Sequence, residues 1–282
     1  SLIKNGLLPG LESVIAYLPY LLILFMLIYF LEDCGYTSRV AYIMDSFMRK
    51  LGLSGKCVIP LLLGFGCTTP AILSARIIED ENARKRTAFL SPFISCSAKI
   101  PVYSMLASVF FENKYMWCII FAYILSILSV IVVATITKKK TKEEGFLLEL
   151  PKLRIPSFAN VFKMVRIRIK EFLLRAGSVI AVVSVVIWFL NSYDFSLSFA
   201  ASGKSILSVV SKNITFLFKP LGFSDYRIVS SLIAGIAAKE TIASSLAITA
   251  GGIENIRMLF NLPAAASFIC FVVLYMPCLS SY

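Results

Sequence analysis

The chain has 282 residues, 58% of them hydrophobic and only 16% charged, with a mean hydropathy of +0.83, which excludes a soluble globular domain and marks an integral membrane protein. Its net charge of +12 invites nucleic-acid binding, but the basic residues cluster between apolar segments, where they set membrane topology instead. Histidine is absent, so imidazole metal sites and histidine-dependent acid–base or triad chemistry are excluded.

A spanning helix needs roughly 20 mostly apolar residues, and in chain order the first predicted span is 11–31 (LESVIAYLPYLLILFMLIYFL). It ends at Glu32 and Asp33 in FLEDCGY, carboxylates placed either to receive a cation or to act as ordinary interfacial residues. YIMDSFMRK (42–50), with Met44, Asp45 and Met48, reads as an amphipathic surface pattern. GLSGKC (52–57) lacks the Gly-x-x-x-x-Gly-Lys-Ser/Thr spacing of a phosphate loop.

The next apolar stretch, 56–75, either spans or re-enters, because GFGCTTPAI (64–72) breaks it. Gly64 and Gly66 allow the helix to unwind, Pro70 removes a backbone donor, and carbonyls are left without helical partners. Cys67 beside those carbonyls and the hydroxyls of Thr68 and Thr69 is a donor set for a borderline-soft divalent cation. The competing reading is a cysteine packed as a small hydrophobe.

The turn 76–86 carries Arg76, Arg84, Lys85 and Arg86, and the stretch 138–175 carries eleven Lys and Arg, so both are expected on the cytoplasmic side. That makes 87–110 and 113–137 a hairpin turning outside at 111–113. SPFISCSAKIPVY (91–103) interrupts its first arm with Pro92, Cys96, Lys99 and Pro101. Within the basic stretch, FANVFKMVRIRIKEF (158–172) suits a helix lying at the interface, the alternative being a solvated loop that only sets topology.

Residues 173–190 form a further span, 203–219 a second surface helix, and 225–250 another interrupted segment. In the last of these, AGIAAKETIASS holds Lys239 and Glu240, where the carboxylate is placed to bind a cation or to pair structurally with the lysine. The final segment, 262–280, ends in YMPCLS, with Met276 and Cys278 flanking Pro277. Three cysteines beside proline breaks, Cys67, Cys96 and Cys278, suggest a thiol-lined path. The seven cysteines show no paired spacing and are expected outside any disulfide.

LGLSGKCVIPLLLGFGCTTPAI (51–72) aligns without gaps on LGFSDYRIVSSLIAGIAAKETI (221–242), and IYFLEDCGY (28–36) corresponds to IWFLNSYDF (187–195). A duplicated membrane unit with breaks at matching positions is the pattern of secondary transporters. The chain starts at Ser1 and ends shortly after an apolar segment, so it is expected to be a piece of a longer protein, and it shows no signal peptide.

The run from FLEDCGYTSRV to SMLASVFF, followed in order by ELPKLRIP, FLLRAGSVI, FKPLGF, AGIAAKE and LYMPCLS, closely resembles the membrane domain of the FeoB family, the bacterial ferrous iron transport protein B. The resemblance implies an all-α polytopic protein of two Gate-like helical units with interrupted helices. It places the units at 1–137 and 173–282, joined by a basic cytoplasmic linker at 138–172. It further implies import of Fe(II) across the cytoplasmic membrane, with Cys67, Cys96, Cys278, Glu240, Glu32 and Asp33 as metal-binding residues along the path. GTP and Mg²⁺ are implied only through an N-terminal GTPase domain, present in cis or in trans. Partners are the lipid bilayer, that GTPase, small cytoplasmic accessory proteins and further copies of the chain, with no nucleic acid. The family's usual Asn-Val-Pro after GFGC is Thr68-Thr69-Pro70 here, which replaces an amide by a hydroxyl.

Two other readings stand beside this one. A Gate-type permease for nucleosides or another organic solute would line its breaks with amides, carboxylates and aromatics. A non-transporting assembly or sensor protein would act through its basic linker. No catalytic constellation stands out, so the chain is not expected to be an enzyme.

Overall fold

A computed structural model describes residues 8–111, 115–138, 155–194, 205–236, 239 and 241–275. The described residues are helical, without a strand, as expected of an all-α membrane protein. In chain order the helices are α1 (Leu8–Asp33), α2 (Tyr36–Lys50), α3 (Val58–Gly66), α4 (Thr68–Ser74), α5 (Glu81–Leu90), α6 (Ile100–Phe110) and α7 (Tyr115–Ile136). Then follow α8 (Phe158–Phe172), α9 (Ser178–Ser192), α10 (Ile206–Phe218), α11 (Tyr226–Ala234), α12 (Thr241–Ala250), α13 (Ile256–Leu259) and α14 (Leu262–Leu274). The predicted spans fall on α1, α7, α9 and α14, although the last is described only as far as Tyr275.

Two runs are long and apolar enough to cross a bilayer as they stand: Glu81–Phe110, of 30 residues and mean hydropathy 1.4, and Tyr115–Ile136, of 22 residues and mean hydropathy 2.8. Two further pairs pass together but bend sharply, Leu18–Asp33 with Tyr36–Lys50 by 79° and Ile206–Leu221 with Tyr226–Ala234 by 104°. Counting each bent pair as one span gives four.

The helices group into two compact units. One comprises Val14–Ser97 and Ser126–Ala176. Here the tight turn after α2 requires Gly52 in the left-handed region, at φ 69°, before the chain turns into α3. Asp45, expected only on a surface, has a second task, since its Oδ1 accepts the Gly55 N–H at 2.8 Å while Oδ2 pairs with Arg49. Asp80 caps α5 by accepting from the N–H groups of Asn82 and Ala83, both at 3.1 Å.

Helices α3 and α4 pack alongside each other, and the segments at their outer ends meet. Lys56 Nζ lies 2.9 Å from Glu79 Oε1 and holds that carboxyl below its ordinary range, through the hydrogen bond first and its charge second. The Arg86 guanidinium donates to the carbonyls of Gly52, of Leu51 at 3.0 Å and of Ala134 at 2.9 Å. Residues 58–74 therefore fold as a helical hairpin whose entry and exit lie side by side. The same arginine, in α5, ties that helix to the end of α7 at Ala134.

The other unit comprises Ser1–Ser13, Ala98–Leu125 and Gly177–Tyr282. Its core is aromatic: Phe223 packs edge-on against Phe268 at 5.5 Å and Phe271 at 5.9 Å, and Phe260 against Phe268 at 5.2 Å. Gly222, the counterpart of Gly52 in the aligned repeat, is also left-handed, at φ 87°. Asp225 caps α11 through the Arg227 N–H at 2.9 Å. The segment expected as a surface helix at 203–219 forms α10, whose Leu207, Ser208, Ser211 and Thr215 are buried.

Candidate transport site

Helix α3 stops at Gly66, and Cys67 takes an extended conformation, φ −149° and ψ 133°, before α4 begins at Thr68. The glycines are there for close approach. A Cβ on Gly64 would lie 3.0 Å from Ile94 Cδ1, and one on Gly66 2.6 Å from Leu24 Cδ2, so the backbone of the break runs against α1 and against the second break.

That second break separates α5 from α6 through two short 3₁₀ turns, Ser91–Phe93 and Ser97–Lys99. Ser97 Oγ donates to the Gly66 carbonyl at 2.8 Å, so the residues flanking Cys67 and Cys96 touch. Ser126 of α7 holds the same segment: its hydroxyl accepts the Ser95 N–H at 2.7 Å and donates to the Phe93 carbonyl at 3.1 Å. Backbone groups freed by the break are thereby satisfied inside an apolar environment, as a membrane interior demands.

Cys67 is half-buried and Cys96 is buried, and neither is in a disulfide. The Thr68 hydroxyl next to Cys67 is buried and has no hydrogen-bond partner among the described residues. A buried polar atom without a partner is uncommon and calls for a role. Among the described residues no group of three or more Cys, Asp or Glu side chains is placed to close around a metal ion.

The helix-end carboxylates belong to another neighbourhood. Glu32 is exposed, and Asp33 Oδ2 accepts the Ser157 N–H at 2.8 Å, which ties the end of α1 to the start of α8. Helix α8 lies along α1: Val161 and Val165 are buried with Leu21 and Phe25, and Arg168 Nε donates to Tyr29 Oη at 2.8 Å. A cavity of about 40 Å³ opens between α1, α4 and α8, beside Thr69 and Pro70.

In the aromatic unit a second set of helix ends is held by polar side chains. Lys99, 1% exposed, donates from Nζ to the Val273 carbonyl at 2.8 Å, and Tyr275 Oη donates to the Leu232 carbonyl at 2.8 Å. Thr241 Oγ1 donates to the Ala234 carbonyl at 3.2 Å across the interruption between α11 and α12. Lys239 lies within that interruption, 2% exposed, and its Nζ has no hydrogen-bond partner among the described residues. Glu240 and Cys278 lie outside the described residues.

Ser126, Tyr29 and Arg168 were not singled out from the sequence. Ser126 had a signal, because with Ser129 it is a polar pair at i, i+3 in an otherwise apolar helix. Arg168 was hidden among the other basic residues of α8, and only the fold turns it toward α1.

The family model named Gate and described as nucleoside recognition matches residues 14–110 and 173–282, and the model of the ferrous iron transport protein B C terminus matches residues 119–168. The Fe(2+) transporter FeoB of Staphylococcus aureus is 37% identical over 288 residues, covering 99% of this chain and 43% of that protein. Those of Methanocaldococcus jannaschii and Campylobacter jejuni are 36% and 34% identical, covering 100% of this chain and 44% and 49% of theirs. The chain thus spans about half the length, or slightly less, of the curated relatives it matches. No solved structure matches it. Apolar helices, the two Gate matches and the whole-length similarity together show that the chain is a multi-pass cell-membrane domain and belongs to the FeoB family.

Proposed function

We propose that this chain conducts Fe(II) into the cell as the membrane part of a longer transporter, and that the ion passes the helix breaks at Cys67 and Cys96. The observation that carries this reading is the Ser97-to-Gly66 hydrogen bond, which joins the two cysteine-bearing breaks inside one unit. Fe(II) accepts thiolate and oxygen donors, and conduction needs weak sites in series rather than a closed cage. Thr68, with its partnerless hydroxyl, supplies an oxygen beside the first thiol. The printed names of the relatives, Fe(2+) transporter, point to the same cargo.

Several finer assignments belong to this reading. Residues 1–137 and 173–282 are the two repeated units, with 138–172 as the linker; the paired left-handed glycines Gly52 and Gly222 and the helix–break–helix pattern at both aligned stretches support the repeat. Glu240 and Cys278 continue the path in the second unit, and Glu32 and Asp33 stand at a cytoplasmic end. GTP and Mg²⁺ act on a GTPase domain outside this chain, which itself carries no reaction chemistry. Small accessory proteins and further copies of the chain complete the assembly.

The test is anaerobic uptake of radioactive Fe(II) by cells lacking their own ferrous importer. The complete transporter containing this chain is compared with its Cys67→Ser, Cys96→Ser and Glu240→Gln forms at matched membrane levels. Uptake in the parent that falls at least about tenfold in the cysteine variants, the loss expected when a ligand worth roughly 1.4 kcal/mol is removed, supports the path. Parent uptake of a labelled nucleoside in place of iron would transfer the assignment to the organic-solute reading.

A further inference from the structure

An open groove of about 580 Å³ lies between the last turns of α1 and the start of α8. Ile23, Met26, Leu27 and Phe30 form its α1 wall, and Phe158 and Phe162 stand on its α8 wall. Every side chain lining it is apolar, so an occupant finds no hydrogen-bond partner there, and its volume falls within the roughly 300–1,000 Å³ of sites that enclose a small molecule. Leu27 is 59% and Phe162 64% exposed, so no described residue covers it.

Helical spacing divides the surface of α8 into three neighbouring stripes. Val161 and Val165 are buried with Leu21 and Phe25 of α1. Phe158 and Phe162, next round the helix, line the groove. Lys163, Arg166 and Lys170 follow at i, i+3 and i+7, all of them exposed. None of these three is in an ion pair among the described residues, whereas Arg168 is taken up by Tyr29 and Glu171. An apolar flank therefore stands directly beside three uncompensated positive charges.

Contacts at both ends hold α8 near the end of the first apolar run, residues 11–31. The Phe158 ring lies 6.4 Å from that of Phe30, Arg168 reaches Tyr29, and Asp33 accepts the Ser157 N–H. The basic clustering of 138–175 puts this end on the cytoplasmic side. The groove thus lies level with acyl chains just beneath the headgroups, and long basic side chains extend from such a position to the phosphates. A neutral phospholipid leaves those charges unmatched. A soluble acidic peptide matches them but has to displace lipid from the wall of a spanning helix.

We propose that the groove between α1 and α8 binds an anionic phospholipid of the cytoplasmic leaflet, one acyl chain lying between Leu27 and Phe162 and the phosphate on the face of Lys163, Arg166 and Lys170. Basic residues beside a membrane span are a recurring form of lipid recognition, each strengthening the attraction about fivefold. The site is independent of the Fe(II) reading, because lipid binding is measured without the metal.

The experiment uses the complete protein containing this chain, stripped of co-purified lipid in detergent. It is titrated with phosphatidylglycerol or with phosphatidylcholine of the same acyl chains, and bound lipid is counted by native mass spectrometry. The parent is expected to hold phosphatidylglycerol at least about tenfold more tightly. Lys163→Gln, Arg166→Gln and Lys170→Gln together remove that preference, while the same loss of charge at the exposed Lys50, Lys85 and Lys138 leaves it intact. The location is read in vesicles on Phe162→Trp, whose added fluorescence acyl-brominated phosphatidylglycerol quenches more than acyl-brominated phosphatidylcholine does. Equal retention of the two lipids by the parent, or a preference that survives the triple substitution at 163, 166 and 170, overturns the site. So does an indole at position 162 that neither brominated lipid quenches, the result expected if another segment of the protein or a partner protein fills the groove.

Discussion

A tight contact between Gly235, at the end of α11, and Ile242 of α12 makes Gly235→Ala a quantitative test of how the second hairpin is packed. Gly235 has φ −64° and ψ −12°, which alanine adopts without strain, so the backbone raises no objection. The obstacle is space. A Cβ there would overlap Ile242 Cγ1, lie 2.5 Å from its Cδ1 and 3.2 Å from the Leu232 carbonyl oxygen, against an ordinary carbon–carbon separation of about 3.5–4.0 Å. Ile242 is 1% exposed inside the aromatic core and has nowhere to turn, so α12 must move outward by roughly 1 Å, the difference from that ordinary separation.

Overpacking of this kind costs about 1–3 kcal/mol, and removing a helical glycine returns about 0.5–1 kcal/mol. The net expectation is a loss of about 0–2.5 kcal/mol, centred on roughly 1 kcal/mol. Gly177→Ala is the internal control: its backbone is helical, at φ −61° and ψ −42°, and its Cβ would meet nothing within 4 Å. The same chemical change should there stabilise by about 0.4–1 kcal/mol. Circular dichroism during heating in detergent reads both, as midpoint shifts of opposite sign at roughly 2–4 °C per kcal/mol. A Gly235→Ala midpoint at or above the parent, or a Gly177→Ala midpoint that falls as far, would refute the packing argument.

Two other perturbations probe the cysteine-bearing unit. Ser126→Ala removes the acceptor of the buried Ser95 N–H and the donor to the Phe93 carbonyl; it should cost about 1–3 kcal/mol and speed thiol modification at Cys96, and an unchanged Cys96 rate would show that the second break does not depend on α7. Arg86→Gln strips the guanidinium from the Leu51, Gly52 and Ala134 carbonyls, so a loss of about 2–4 kcal/mol and easier proteolysis in the turn 76–86 are expected; protease resistance equal to the parent would place the hairpin's anchorage elsewhere.

How much was legible in advance varies with the range of the interaction. The breaks were readable because glycine and proline act locally: Gly64, Gly66 and Pro70 disfavour a continuous helix whatever surrounds them, and α3 does end at Gly66. The alignment of 51–72 on 221–242 likewise anticipated a shared turn, and Gly52 and Gly222 both take the left-handed conformation. Asp45 was read too narrowly, because its bond to Gly55 spans ten residues and leaves no periodic signal.

Apolar composition, segment lengths and basic clustering by themselves determined that the chain is an all-α membrane protein, where its helices lie and where they break, since helix formation and burial in lipid depend on local pattern. Only the tertiary structure decided that 58–74 doubles back as a hairpin with its ends together, because that depends on Arg86 and Lys56 meeting distant residues. It also decided that the flanks of Cys67 and Cys96 touch, through a hydroxyl and a carbonyl 31 residues apart, and that one arginine of a basic helix turns inward to Tyr29, 139 residues away. Such pairings arise from packing between helices, and no window of sequence records them.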